Sequence, residues 1–143
     1  MKTTVPQHPF HLAFPVHDLD TTEAFYVGVL KCCKGRSAPR WIDFDFYGHQ
    51  ISAHLITKSE AQADTNMVDG DSIPTRHFGV VLPWLAWTAL AKRLQAASTT
   101  FLIEPKIRFA GEVGEQGTFF ISDPSGNVLE FKSFQNMEQL FAR

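Results

Sequence analysis

Polar and hydrophobic positions alternate in two stretches that read alike. From Phe10 to Val16, the bulky Phe10, Leu12, Phe14 and Val16 fall on one face of an extended strand, and His11, Ala13 and Pro15 on the other. In the second stretch, Phe78, Val80 and Leu82 share a face, opposite His77, Gly79 and Val81. Each strand gives way to a segment with helical spacing, marked by Leu19, Phe25 and Val29 in the first case and Leu85, Leu90 and Leu94 in the second. Strand-like material follows at Trp41–Tyr47 and Gln50–Ile56, and again at Phe101–Phe109 and Gly117–Phe131. Each half closes with a glycine-centred hairpin, Tyr47-Gly48-His49 and Pro124-Ser125-Gly126-Asn127. The offset is 77 − 11 = 66 residues. The order β-α-β-β-β therefore occurs twice and predicts an α+β fold. Module one covers about 9–56 and module two about 76–134, with a C-terminal tail at 135–143. Between the modules, "TKSEAQADTNMVDGDSIPT" (57–75) is polar and offers little to bury, so it is expected as a connecting loop. A loop of that length serves either as a plain linker or as a flap over a ligand site.

Composition narrows the class. At 143 residues and 44% apolar content, a single domain has enough core to fold without disulfides. A formal net charge of −2 offers no basic face for nucleic acid or for an acidic membrane surface. The opening MKTTVPQHPF lacks an apolar leader core, and no apolar run reaches membrane-spanning length. The only two cysteines, Cys32 and Cys33, are adjacent and poorly placed to bridge each other. These features set a cytoplasmic location as the expectation.

The candidate chemistry lies on the small-residue faces of the strands. In Gln50–Ile56, Ile51, Ala53 and Leu55 oppose Gln50, Ser52, His54 and Ile56. In the last strand, Leu129 and Phe131 oppose Val128, Glu130 and Lys132. Four strands thus each offer one potential ligand: His11, His54, His77 and Glu130. Singly, each has a plain explanation, as a hydrogen-bonded strand histidine or a solvent-facing carboxylate. Together, two imidazoles and a carboxylate make the facial set that holds a divalent metal with open positions, and a cation would satisfy a buried Glu130. His8 sits in a proline-flanked tail, His17 at a strand-to-helix turn, and His49 in a hairpin. Neither cysteine has a neighbouring base pattern, and "FAGEVGEQG" is not a phosphate-binding turn.

The paired module order, the two opening histidines and "DPSGNVLEF" resemble the vicinal oxygen chelate superfamily of glyoxalase I, fosfomycin-resistance transferases, bleomycin-binding proteins and type I extradiol dioxygenases. The similarity runs from about His11 to Phe134. "PFHLAFPVHDLD", "WIDFDFYGHQISAHL", "RHFGVVL" and "SDPSGNVLEFKSF" look most like small bacterial extradiol-dioxygenase-like proteins. The resemblance implies cupped half-barrel sheets with helices outside, and a homodimer whose modules pair within or between chains. It implies metal ligation by His11, His77 and Glu130, with Fe(II) the first expectation and Mn, Ni or Zn as alternatives. His54 then has two roles to choose from, an acid/base for ring cleavage or a fourth ligand in an isomerase or lyase. The substrate would be a small aromatic or vicinal-oxygen compound. A non-catalytic, resistance-type binding protein is the third reading. One departure is visible: extradiol enzymes commonly use a tyrosine hydroxyl on the strand before the glutamate strand, where this chain reads "TFFIS".

Overall fold

A computed structural model describes residues 4–57, 65–68, 71–74 and 76–143. The chain divides into two compact units, one formed by 1–63 with Asp123–Asn127 and the other by Asp64–Ser122 with Val128–Arg143.

In the first unit, β1 (His11–Val16), β2 (Cys33–Ala38), β3 (Trp41–Phe46) and β4 (His49–Leu55) form one open sheet in the order β1-β4-β3-β2. β1 runs parallel to β4, and the other pairs are antiparallel. The hairpin between β3 and β4 turns on Tyr47 and Gly48, at φ 53° and 87°. Two successive positive-φ residues give a turn whose twist matches that of the strands it joins. Between β1 and β2, α1 (Leu19–Glu23) starts at Asp18, whose carboxylate accepts the Thr21 N–H at 2.7 Å. It runs on into a π-helical turn, Ala24–Val29, closed by Leu30 N–H to Phe25 C=O. This wider turn buries Phe25 and Tyr26 together. Tyr26 stacks on Phe44 at 5.0 Å and tilts against Phe14 at 5.5 Å. The helix therefore covers the Phe14, Val16, Phe44, Ile51 and Ala53 face, all buried. His11, Ala13, Pro15 and His54 stay exposed on the other face.

The second unit repeats the plan. β7 (His77–Val81), β8 (Phe101–Arg108), β9 (Gln116–Ser122) and β10 (Val128–Phe134) are ordered β7-β10-β9-β8, again with one parallel pair. On one face lies α2 (Trp84–Ala96), which buries Trp87, Leu90, Ala91 and Leu94 at the i, i+3, i+4, i+7 spacing of a single stripe. The Trp87 ring stands 5.8 Å from Phe119, and its indole N–H donates to the Phe131 carbonyl at 2.9 Å. Leu85, read from the sequence as part of that stripe, is 83% exposed. The step of five residues from Leu85 to Leu90 turns the helix well past one face.

Two further elements depart from the sequence reading. β2, in "CKGRSA", has no apolar alternation to announce it, and its central residues are exposed. The polar 57–75 segment contains a two-stranded antiparallel ladder, β5 (Thr65–Val68) with β6 (Asp71–Pro74), although part of it lies outside the described residues. Ile73 of β6 is buried in a cluster with Ile103, Phe120 and Val128. The segment thus contributes a core residue to the second unit.

Candidate metal centre

The parallel pairing of β7 with β10 positions the two residues of the second unit that the sequence singled out. In register, His77 lies opposite Val128 and Gly79 opposite Glu130, so His77 and Glu130 project from one face, two residues apart. His77 Nε2 and Glu130 Oε2 stand 3.4 Å apart. Glu130 is only 13% exposed at its side chain, and its other oxygen, Oε1, accepts the Thr118 hydroxyl at 2.8 Å. The Lys132 ammonium lies 3.9 Å from the same oxygen. The buried Phe120 ring meets His77 edge-on at 5.3 Å, tying the imidazole to the cluster that holds Ile73. A cavity of about 270 Å³ opens over His77, Gly79, Val81, Glu130 and Lys132.

Gly79 is there because nothing larger fits. A β-carbon at this position would overlap the Glu130 carbonyl oxygen. The close approach of β7 to β10 that brings imidazole and carboxylate together therefore requires glycine.

The pair fits a divalent ion. Two donors each about 2.1 Å from a common metal at a tetrahedral angle are about 3.4 Å apart. One imidazole and one carboxylate suit Fe, Mn, Ni or Zn. Among the described residues, no group of three or more His, Cys, Asp or Glu side chains is gathered as a metal site. His77 and Glu130 are brought together, while His11 and His54 belong to the first unit.

In that unit, His11 Nδ1 lies 2.8 Å from Gln50 Oε1, and the two residues are register partners across the parallel β1–β4 pair. Gln50 Nε2 reaches Asp43 Oδ2 at 3.3 Å, and Ser52 Oγ donates to Asp43 Oδ1 at 2.5 Å. His49 Nδ1 accepts the Phe10 N–H at 2.8 Å, holding the chain one residue before His11. The sequence places His49 in a hairpin and gives Asp43 no separate role. The signal for Asp43 was present in "WIDFDF", where Trp41, Asp43 and Asp45 alternate with Ile42, Phe44 and Phe46.

Register fixes where His54 sits along its strand. Glu130 lies two residues beyond the position that pairs with His77, and the corresponding residue in the first unit is Ser52, not His54. His54 pairs with Pro15, four residues along β1 from His11, which is roughly 13 Å of strand. Counting potential ligands by alternation alone cannot fix how far along a strand each one sits. His54 is exposed, and across β3 it faces Trp41. Arg40 donates to the Leu55 carbonyl at 2.9 Å.

The "SDPSGN" turn serves a structural purpose. Asp123, buried, accepts N–H groups from Ser125 and Asn127 on Oδ1, and the Asn127 amide and Tyr26 hydroxyl on Oδ2, all at 2.9 Å. Asn127 also donates to the Pro15 carbonyl, and Ser125 Oγ accepts the His17 N–H. Tyr26 is thereby committed to the core of the first unit, and Tyr47 to the hairpin turn. The strand before Glu130 presents buried Phe119 and Phe120 and no tyrosine.

With this geometry, comparison with known proteins decides the family. The sequence profile of the glyoxalase/bleomycin resistance protein/dioxygenase superfamily matches residues 8–131. The chain belongs to that superfamily. Its fold is the vicinal oxygen chelate fold, expected from the sequence. It is similar to the crystal structure of a glyoxalase/bleomycin resistance protein/dioxygenase from Alicyclobacillus acidocaldarius, at 33% identity over 94% of this chain and 96% of that one, with a TM-score of 0.79. A lactoylglutathione lyase from Agrobacterium tumefaciens shares the fold at 17% identity, covering 96% of this chain and 98% of its own, with a TM-score of 0.63. A variant of the fosfomycin resistance protein FosX from Listeria monocytogenes, complexed with Mn(II), shares it at 15% identity, covering 97% and 100%, with a TM-score of 0.66. Comparison with curated proteins gives no match. The superfamily typically binds a divalent metal and includes lyases, dioxygenases and fosfomycin-resistance proteins. Among the described residues, no helix is long and apolar enough to cross a membrane.

Proposed function

We propose that this protein is a metal-dependent dioxygenase-like enzyme acting on a small catechol-type aromatic, with His11, His77 and Glu130 as the residues that hold the metal. The observation that carries the reading is the 3.4 Å approach of His77 Nε2 to Glu130 Oε2 beside a cavity. His11 completes the set, either from the same chain or from a second copy in a homodimer. Bound there, a divalent ion supplies Lewis acidity and, if it is Fe(II), a site for oxygen activation.

The protein's own groups do the rest. Thr118 holds Glu130 in one rotamer through Oε1, leaving Oε2 directed at His77. Lys132, on the same face and next to the carboxylate, is placed to neutralise an anionic substrate oxygen. His54, outside the ligand register and open to solvent, takes a proton from the substrate hydroxyl and returns it later, as suits an imidazole. The protein is expected to work in the cytoplasm, without nucleic acid or membrane partners.

A second reading has an observation in its favour. Both tyrosines are committed elsewhere and the strand before Glu130 carries only phenylalanines, which fits isomerase or lyase chemistry better than ring cleavage. Elemental analysis of anaerobically purified wild type and Glu130→Ala, followed by oxygen uptake on a catechol panel, tests both. About one iron per chain, lost in the variant, with oxygen consumed on a catechol, supports the dioxygenase. A metal lost in the variant but no oxygen uptake moves the assignment to isomerase or lyase. A full metal complement in Glu130→Ala overturns the site.

A further inference from the structure

We infer that Gln50, Asp43 and Ser52 form a relay that fixes the tautomer of His11, placing the proton on Nδ1 and the free lone pair on Nε2. The inference rests on the reading of His11 as a metal ligand and assigns three positioning residues to it.

The logic starts at the buried end. Asp43 and Ser52 are 8% and 5% exposed, and they face each other across the β3–β4 ladder. An aspartate carboxylate has only acceptors, so every group facing it must donate. Ser52 gives its O–H to Oδ1, and the Gln50 group facing Oδ2 must be the amide NH₂. That choice leaves Gln50 no freedom at its other atom: the carbonyl Oε1 is what meets His11 Nδ1 at 2.8 Å. A carbonyl oxygen only accepts, so Nδ1 carries the hydrogen. In a neutral imidazole the remaining nitrogen, Nε2, then holds its lone pair outward.

An imidazole that ligates a metal through one nitrogen commonly donates its other N–H to an oxygen, which fixes the ring and raises its basicity. Here that oxygen belongs to an amide whose orientation is set by a carboxylate one strand away. Backbone contacts hold the rest of the geometry. Gln50 N–H donates to the Phe10 carbonyl, and Phe10 N–H to His49 Nδ1, so the chain entering β1 is fixed on both sides of the Phe10 α-carbon.

The second unit solves the same problem differently. At the position equivalent to Ser52 it carries Glu130, which is held by a hydroxyl from Thr118. The first unit has its carboxylate on β3 instead, as Asp43, where it orients a ligand's partner.

The test is nitrogen-15 NMR of the histidine rings in the metal-free protein, recorded on the neutral ring, together with Mn(II) affinity by competition with a chromophoric chelator. Wild-type His11 is expected to show a protonated Nδ1 and an unprotonated Nε2. Asp43→Asn offers either end of its amide to Gln50, and Gln50→Leu removes the acceptor altogether. Both should mix the two tautomers and weaken Mn(II) binding by about tenfold or more. Gln50 is exposed, so Gln50→Leu folds even if the buried Asp43→Asn does not. A wild-type His11 protonated on Nε2, or a Gln50→Leu protein with unchanged tautomer and affinity, overturns the relay. His11→Ala with wild-type Mn(II) affinity overturns the ligand reading itself, whatever the tautomer.

Discussion

The Tyr26 hydroxyl donates to Asp123 Oδ2 at 2.9 Å, joining residues 97 positions apart. The bond is buried, and the phenol is held well above its usual pKa of 10.0, first by burial and then by the Asp123 charge. Tyr26→Phe is expected to lower stability by about 1–2 kcal/mol in urea unfolding, since Asn127 still serves the same carboxylate oxygen. Asp123→Ala strands four donors and should cost more than Tyr26→Phe. A raised folded-state value means the contribution is complete below about pH 10 and is lost as pH rises through the folded value. Tyr26 ionisation should therefore coincide with alkaline unfolding in an absorbance titration, and Tyr26→Phe should remove that component.

Asp18 gives the opposite pH dependence. The Thr21 N–H bonded to its carboxylate lowers the Asp18 pKa from 3.8. Its cap stabilises the fold above that value and is lost as pH falls through the folded one. The gap in urea midpoint between wild type and Asp18→Ala should be present at neutral pH and close in acid.

Gly117→Ala tests packing away from the site. A β-carbon there would lie 2.8 Å from the Trp87 ring, which also donates to Phe131. Overpacking of this kind costs about 1–3 kcal/mol. The expected result is a lower melting temperature with metal stoichiometry unchanged. Gly79→Ala, by contrast, should disrupt the β7–β10 pair and lose metal together with stability.

Thr118→Val removes the hydroxyl that holds Glu130 Oε1 while keeping the shape. Metal affinity measured by chelator competition should fall about tenfold, in line with loss of an outer-shell partner. Unchanged affinity would show that the β9–β10 packing alone fixes the carboxylate.

His54→Ala separates its two roles. As an acid/base, His54 can be removed with metal content retained and turnover lost by a factor of about 10² or more. As a ligand, its removal would lower metal content instead.

Much of this was legible in the sequence because strand alternation is a period-two code. It placed His11, His77, Gly79 and Glu130 on the faces opposite Phe14, Phe78 and Phe131, where the structure has them. It also gave the repeat and both hairpins. Alternation says nothing about register, so it could not show that Ser52 occupies the position equivalent to Glu130. It fails for strands with no apolar face, which is why β2 and the β5–β6 ladder were missed. Helical spacing misled at Leu85 because Trp87 and Ala91, not the leucines alone, define the stripe. The Gln50–Asp43 contact depends on which side chains meet across a ladder, and one strand read by itself does not contain that information.

The five residues Asp123–Asn127 lie between two strands of the second sheet, yet they group with the first unit and satisfy groups on Tyr26, His17 and Pro15. The sequence repeat is therefore not a boundary along which the chain can be cut. A fragment ending near residue 63 would carry the whole first sheet and still leave a buried phenol with no acceptor. Despite the repeated order of elements, half of this protein is not half a protein, and the first module could not be exchanged as a cassette without the tip of the second module's last hairpin.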